Sequence, residues 1–299
     1  MELIHRRDLL ADTLVTAGSV TLFPSCLRAA PAHMPKLTFA VVSDTHLGYK
    51  DQTHAGTQWA KTVEELRTTN AEFVIHLGDI VDAGREPQYG LYLKQRDRLK
   101  MPVHEIPGNH DPLDLFRKHI RTNVDQVVDH QWLRCILINN ARTDSHDGFV
   151  TDQQINWIER QCSAAEDEGK YVLLCLHVPV HANRHPDRGW YVKPENGQTK
   201  LYALIRKYRL RIVAMLHGHF HNGIRGWKDD DGVHEICMPS VLYNLDRGLE
   251  AQKAPGYNPL EFRPGYTLVS IQQGSLELRY KPIGEAATIQ KRCEFGTPG

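Results

Sequence analysis

Short apolar, β-branched runs alternate with amphipathic stretches over most of the chain. Leu37 to Ser43 reads as a buried strand, and Phe73 to Leu77, Val103 to Ile106, Leu133 to Asn139, Tyr171 to Leu176 and Ile212 to Leu216 repeat the pattern. Between them, Thr57 to Thr69, Pro87 to Leu99, Leu113 to Ile120, Thr151 to Glu168 and Thr199 to Tyr208 have helical spacing. The helix from Thr151 opens on a threonine cap and carries Ile155 and Ile158 on one face. After His221 the pattern changes to short strands alone: Gly223 to Lys228, Val233 to Met238, Tyr266 to Ile271 and Leu276 to Tyr280. Alternating strands and helices predict parallel β-α units, and the strand-rich last third predicts an antiparallel portion. The fold class is therefore α/β. No repeat or linker divides the chain, but Val178 to Asn196 and Tyr243 to Pro264 are irregular, and long loops in a compact domain are often functional.

Chemistry gathers where the strands end. Asp44-Thr45-His46, Gly78-Asp79-Ile80-Val81-Asp82, Gly108-Asn109-His110-Asp111, Leu176-His177 and Gly218-His219-Phe220-His221 each follow an apparent strand. In open α/β sheets ligands bind beyond the carboxyl ends of the strands, so five such blocks converge on one place although they are far apart in sequence. Aspartate and asparagine oxygens with four imidazoles form a mixed N/O donor set, suited to first-row metals and poor for calcium. Seven donors exceed one tetrahedral ion and fit two ions sharing a carboxylate. Each block alone is an ordinary turn or a satisfied polar group; all five in this order are not.

This order resembles the calcineurin-like metallophosphoesterase superfamily, whose signature is D-x-H, G-D-x-x-D, G-N-H-D, H and G-H-x-H. The resemblance implies a two-sheet α-β-β-α sandwich with a dinuclear centre at the strand ends. It further implies that Asp44, His46, Asp79 and His221 hold one metal ion, with Asp79 bridging to a second held by Asn109, His177 and His219. The ions would be iron, manganese or zinc. His110 would be the catalytic histidine, with Asp111 orienting it, and Asn109, His110 and His219 would touch substrate. Purple acid phosphatases have D-x-G and G-D-x-x-Y, where this chain has His46 and Asp82. The stretch from Gly148 to Glu159 (with Gln153, Gln154 and Trp157) and Leu176-His177-Val178-Pro179 are similar to bacterial cyclic-nucleotide and glycerophosphodiester phosphodiesterases. The implied activity is hydrolysis of a small phosphate ester, a diester ahead of a monoester, by hydroxide shared between two cations roughly 3.5–4 Å apart. A metal-free binding scaffold is the reading from another class, and intact ligand positions argue against it.

Composition narrows the partner and the compartment. Lys+Arg and Asp+Glu are 36 each, with no basic stripe, so nucleic acid is not expected. His181, Arg184, His185, Arg188, Trp190 and Tyr191 fall in the first irregular segment; of these, His181, Arg184 and Tyr191 are candidates for gripping a phosphate ester. Asp82 and Gly84 read as loop-shaping residues, and His217 as either a neighbour of the ligands or a buried histidine. None of the six cysteines lies in a C-x-x-C pair, and Cys135 and Cys175 sit in apolar runs as small buried hydrophobes. At the start, Arg6-Arg7-Asp8-Leu9-Leu10, a weak apolar stretch to Phe23 and Ala30-Pro31-Ala32 follow the order of a cleavable export signal of the twin-arginine type; an amphipathic helix is the alternative. The stretch from Leu9 to Phe23 contains Asp12 and is too short to span a bilayer. The expected organisation is a signal at 1–32, a catalytic domain at 36–285 and a tail at 286–299, with export to the periplasm or beyond. Removal of the signal takes Arg6, Arg7, Arg28, Glu2, Asp8 and Asp12 and leaves the chain neutral, with five cysteines.

Overall fold

The computed structural model describes residues 34–50, 52–182, 189–221, 223–228, 232–243, 260 and 263–296. The expected signal and Arg184, His185 and Arg188 lie outside these residues, as does most of the segment from Tyr243 to Pro264.

The first parallel unit is β1 (Leu37–Val42), β2 (Val74–His76) and β3 (Val103–Glu105), connected through helices α1 (Gln52–Leu66) and α2 (Glu86–Arg96). The second is β5 (Leu133–Leu137), β6 (Tyr171–Cys175) and β7 (Ile212–His217), connected through α4 (Asp152–Asp167) and α5 (Gln198–Lys207), while α3 (Leu113–His119) follows β3. Further strands, mostly antiparallel, extend both units. On the first, β10 (Gly265–Gln272), β11 (Ser275–Pro282) and β12 (Ile289–Glu294) give the order β12-β11-β10-β1-β2-β3. On the second, β4 (Gln126–His130), β8 (Arg225–Lys228) and β9 (His234–Cys237) give β4-β5-β6-β7-β9-β8, with β9 parallel to β7.

The inner faces of the sheets pack on each other through Phe39, Val41, Phe73, Ile75, Leu133, Cys135, Leu173, Leu216 and Val269. Ile155, Ile158 and Cys162 of α4 and Leu201 and Ile205 of α5 cover the outside of the second sheet. Ala55, Trp59 and Val63 of α1 and Tyr89 and Tyr92 of α2 cover the first. This is the α-β-β-α sandwich. Strands buried on both faces explain the continuous apolar runs: β1, β5, β6 and β7 are buried at every position. Thr151 caps α4 as its sequence predicts, accepting from the Gln154 amide at 3.2 Å while Gln154 returns a bond to the Thr151 amide.

The C-terminal expectation is corrected. The segment 286–299 is not simply a tail, because Ile289–Glu294 forms β12 on the edge of the first sheet, with Ile289 and Cys293 against the core. Gln126–His130, which the apolar periodicity does not single out, is the edge strand β4. Cys135, Cys162, Cys175 and Cys237 are buried thiols, and no described cysteine is in a disulfide. No described helix is long and apolar enough to cross a membrane.

Candidate dinuclear metal centre

The parallel strands of both sheets end at the same rim. Asp44 and His46 follow β1, Asp79 follows β2, Asn109 follows β3, His177 follows β6, and His219 and His221 follow β7. Their backbones turn sharply: Asp44, His46, Asp79, His219 and His221 all have positive φ, between 42° and 73°. Non-glycine residues hold that conformation at a cost, and they do so where the surrounding structure requires it. Two glycines let the turns approach each other. A Cβ on Gly108 would lie 2.1 Å from Asp79 Oδ1, and one on Gly218 would lie 2.0 Å from Ser43 Oγ and 2.7 Å from Asp44 Oδ2.

The donors fall into two groups that share Asp79. Asp44, His46, Asp79 and His221 present atoms within 4.8 Å of one another, and Asp79, His177 and His219 do the same. Asn109 Oδ1 joins the second group, 3.2 Å from His177 Nε2. Asp79 Oδ2 stands between the groups, 3.6 Å from His46 Nε2 and 3.2 Å from His177 Nε2. All seven side chains are buried.

Proton inventory shows what these donors fit. His177 Nδ1 donates to the Leu77 carbonyl at 2.7 Å, His221 Nδ1 to the Tyr243 carbonyl at 3.0 Å, and His46 Nδ1 faces the Asp82 carboxylate at 3.2 Å. In the neutral rings, the outer bonds of His177 and His221 take the Nδ1 proton, the nearby Asp82 carboxylate favours the same tautomer in His46, and an Nε2 lone pair is left turned inward. His46 Nε2 and His221 Nε2 are then 3.2 Å apart, and His177 Nε2 is 3.2 Å from both Asn109 Oδ1 and His219 Nδ1. Acceptors packed against acceptors in a buried site call for cations. Electrostatics agree. Burial works against ionising Asp44 and Asp79, yet His221 and His177 hold both well below the carboxylate range. Burial likewise disfavours charging His177, yet Asp79 and Asp44 lift it to about 9; without a metal ion its Nε2 holds a proton between Asp79 and Asn109, in the place a cation would take.

His110 stands beside the groups rather than within either of the two. Its ring is 4.7 Å from that of His46, its amide donates to Asp79 Oδ1 at 2.9 Å, and its Nδ1 donates to the Asp82 carbonyl at 2.6 Å. Burial depresses its pKa, but Asp79, the Asp82 carbonyl and the Asp82 and Asp111 carboxylates raise it above 6.5 on balance. The expected pairing of His110 with Asp111 is replaced by one with Asp82. Asp111 accepts instead from the amides of Ile80, Val81 and Gly108 at 3.0, 3.1 and 2.9 Å and from Tyr89 Oη at 3.3 Å. It therefore clamps the Asp79 loop to the Asn109 loop. Sequence adjacency suggested the wrong partner, since three amides saturate the carboxylate first.

Around the rim, Tyr49 and Tyr243 stack at 4.7 Å, with Tyr243 4.6 Å from His221. Across from them, His146 stacks on Trp190 at 4.3 Å, and Trp190 lies 5.4 Å from His219. The other residues expected in the 178–196 segment behave differently. His181 turns to Glu235 (3.0 Å) in a separate group with buried His217, and Tyr191 receives the Gly148 amide on its carbonyl. Glu235 already accepts from the amides of Val180 and His181 and from Tyr202 Oη, so it anchors the loop after His177 to β9. Asp82 carries a motif signal in G-D-x-x-D that fits a turn residue equally well; His146 carries none.

Comparison with known proteins now decides the family. Residues 37–223, most of the chain and all seven donors, match the model of the calcineurin-like phosphoesterase family. The chain belongs to that family. It is similar to the glycerophosphodiester phosphodiesterase of Enterobacter lignolyticus, at 27% identity over 62% of this chain and 71% of that protein. It is also similar to probable cyclic nucleotide phosphodiesterases of Rhodococcus erythropolis (24% over 88% of this chain and 89% of the other) and Fibrobacter succinogenes (30% over 70% and 82%). Among solved structures, a dimetal phosphatase from Danio rerio superposes with TM-score 0.67 at 13% identity, covering 87% of this chain and 99% of that one. A purple acid phosphatase from yellow lupin gives 0.68 at 13% identity, covering 89% and 55%. At such identity these two show the fold. As a family member with phosphodiesterase relatives, the chain is a phosphoric ester hydrolase.

Proposed function

We infer that this calcineurin-like phosphoesterase is an exported phosphodiesterase working through two first-row metal ions. Asp44, His46, Asp79 and His221 would hold one ion and Asp79, Asn109, His177 and His219 the other. Such a pair supplies a nucleophile from water at neutral pH and offsets charge gathering on the phosphoryl oxygens. The chain's own groups do the rest. The His46, His177 and His221 lone pairs are kept inward by Asp82, Leu77 and Tyr243, so the cradle is fixed before substrate arrives.

His110 is the observation that carries the diesterase reading. With Nδ1 given to the Asp82 carbonyl, its Nε2 is the free face of the ring, and charging the imidazole is favoured. An imidazolium there donates to the departing alkoxide, the step a diester with a poor leaving group needs most. His219 Nε2 has no hydrogen-bonding partner among the described residues, and a phosphoryl oxygen would satisfy it. The similar proteins named as phosphodiesterases support the same substrate class. The paired Arg6 and Arg7 before a weak apolar stretch support twin-arginine export.

The test compares bis(p-nitrophenyl) phosphate with p-nitrophenyl phosphate under added manganese. The diester should show the higher kcat/KM; a clear monoester preference at neutral and alkaline pH would refute the diesterase reading and leave the metal centre untouched.

A further inference from the structure

Asn109 poses an orientation problem that the other ligands do not. A carboxylate offers two equivalent oxygens and an imidazole is fixed by its outer hydrogen bond, but a carboxamide can turn over and present its NH2 where its oxygen should be. The hazard is specific here. Turned over, Asn109 Nδ2 would lie against the lone pair on His177 Nε2, now 3.2 Å from Oδ1, and the resulting hydrogen bond would close the second group to a cation.

One described side chain opposes that flip. His146 Nδ1 lies 3.3 Å from Asn109 Nδ2, while His177 meets the other carboxamide atom, Oδ1. As an acceptor it rewards only the orientation in which Nδ2 points outward and Oδ1 inward. We propose that His146 is a positioning residue of the dinuclear centre: it fixes the amide of Asn109 so that Oδ1 faces the second metal ion.

The surroundings hold His146 to that task. Its ring is stacked on Trp190 with the planes 20° apart, which fixes the plane in which Nδ1 lies. The two come from different loops that are joined along their length. Gly148 N donates to Tyr191 O at 3.2 Å, Gly148 bridges Val192, and Lys193 pairs with Asp147 at 2.6 Å. Asn140, just before this loop, accepts from the amides of His177 and Val178 at 3.0 Å each and donates to the Val178 carbonyl. The loop bearing His146 is thereby keyed to the same backbone that presents His177.

The inference rests on the dinuclear reading above, and the experiment separates the two. Manganese is titrated into metal-stripped wild type, His146→Phe and His146→Asn, by calorimetry. Phenylalanine keeps a ring for Trp190 and removes the acceptor; asparagine places an oxygen near the position of Nδ1. The Phe variant should bind the first equivalent normally and the second about 10–100-fold more weakly, the usual consequence of losing such an outer partner. The Asn variant should recover most of the loss. In an Asn109→Asp background, where orientation no longer matters, His146→Phe should change second-site affinity little. A Phe variant that matches wild type, or one whose loss persists undiminished beside Asn109→Asp, overturns the role of His146 alone. A wild type that never takes a second equivalent overturns the dinuclear reading and this proposal with it.

Discussion

Asp82 serves the centre through two different atoms, and replacing it with alanine removes only one. Its carboxylate, 3.2 Å from His46 Nδ1, fixes that ring's tautomer and makes Nε2 more basic. Its backbone carbonyl, 2.6 Å from His110 Nδ1, survives any substitution. Asp82→Ala therefore frees His46 to turn or to carry its proton on Nε2, while His110 keeps its tether. Loss of such an outer carboxylate typically weakens metal binding by about 10–100-fold, or roughly 1.4–2.7 kcal/mol. Asp82→Asn should lose less, because its amide oxygen still accepts from Nδ1. The assay is activity against manganese concentration, starting from chelator-treated protein. The half-saturating concentration should rise by that factor for Ala, with kcat at saturating metal within a few-fold of wild type. A variant with unchanged metal dependence and a collapsed kcat would refute the division of labour and place the Asp82 carboxylate in the chemistry.

Three further outcomes are expected. His110→Ala should retain wild-type metal content and lose roughly 10²–10⁴ in turnover, the range for a general acid; loss of metal together with activity would make His110 a ligand. Glu105 is buried, and burial raises its carboxyl to about 7 from 4.5 against the pull of Arg96 and Tyr92. Between those pH values the folded protein holds a proton that the unfolded chain has released, so wild type loses stability as pH rises through the window, by at most on the order of 3 kcal/mol. Glu105→Gln should thus raise the melting temperature at pH 8 and leave it near wild type at pH 4.5; equal effects at both would contradict the assignment. Arg6→Lys with Arg7→Lys should leave precursor in the cytoplasm, and continued export would point to the general secretory route.

Much of this fold is readable from periodicity because its central strands are buried on both faces, which makes runs such as Leu37 to Val42 continuously apolar. The edges are harder. β12 (Ile-Gln-Lys-Arg-Cys-Glu) alternates half-buried and exposed positions and carries charge, and β4 contains Asp129 and His130, so neither resembles a core strand. The clustered candidate donors are legible because each sits in a short motif directly after a strand. Their supports are not. Asp82 reaches His46 and His110 across a turn, Leu77 and Tyr243 act through carbonyls that carry no side-chain signature, and His146 arrives from a loop with no spacing of its own. Asp111 shows the converse: it lies next to His110 in sequence, yet its oxygens are taken by amides of two loops.

The central claim is that one carboxylate, Asp79, joins two metal sites, since its Oδ2 faces His46 Nε2 at 3.6 Å and His177 Nε2 at 3.2 Å. Metal content of wild type and Asp79→Asn, measured by elemental analysis beside activity, tests it most directly. Two first-row ions per chain in active wild type, with depletion of both and loss of activity in the variant, is the result expected. About one ion per chain at full activity would contradict it.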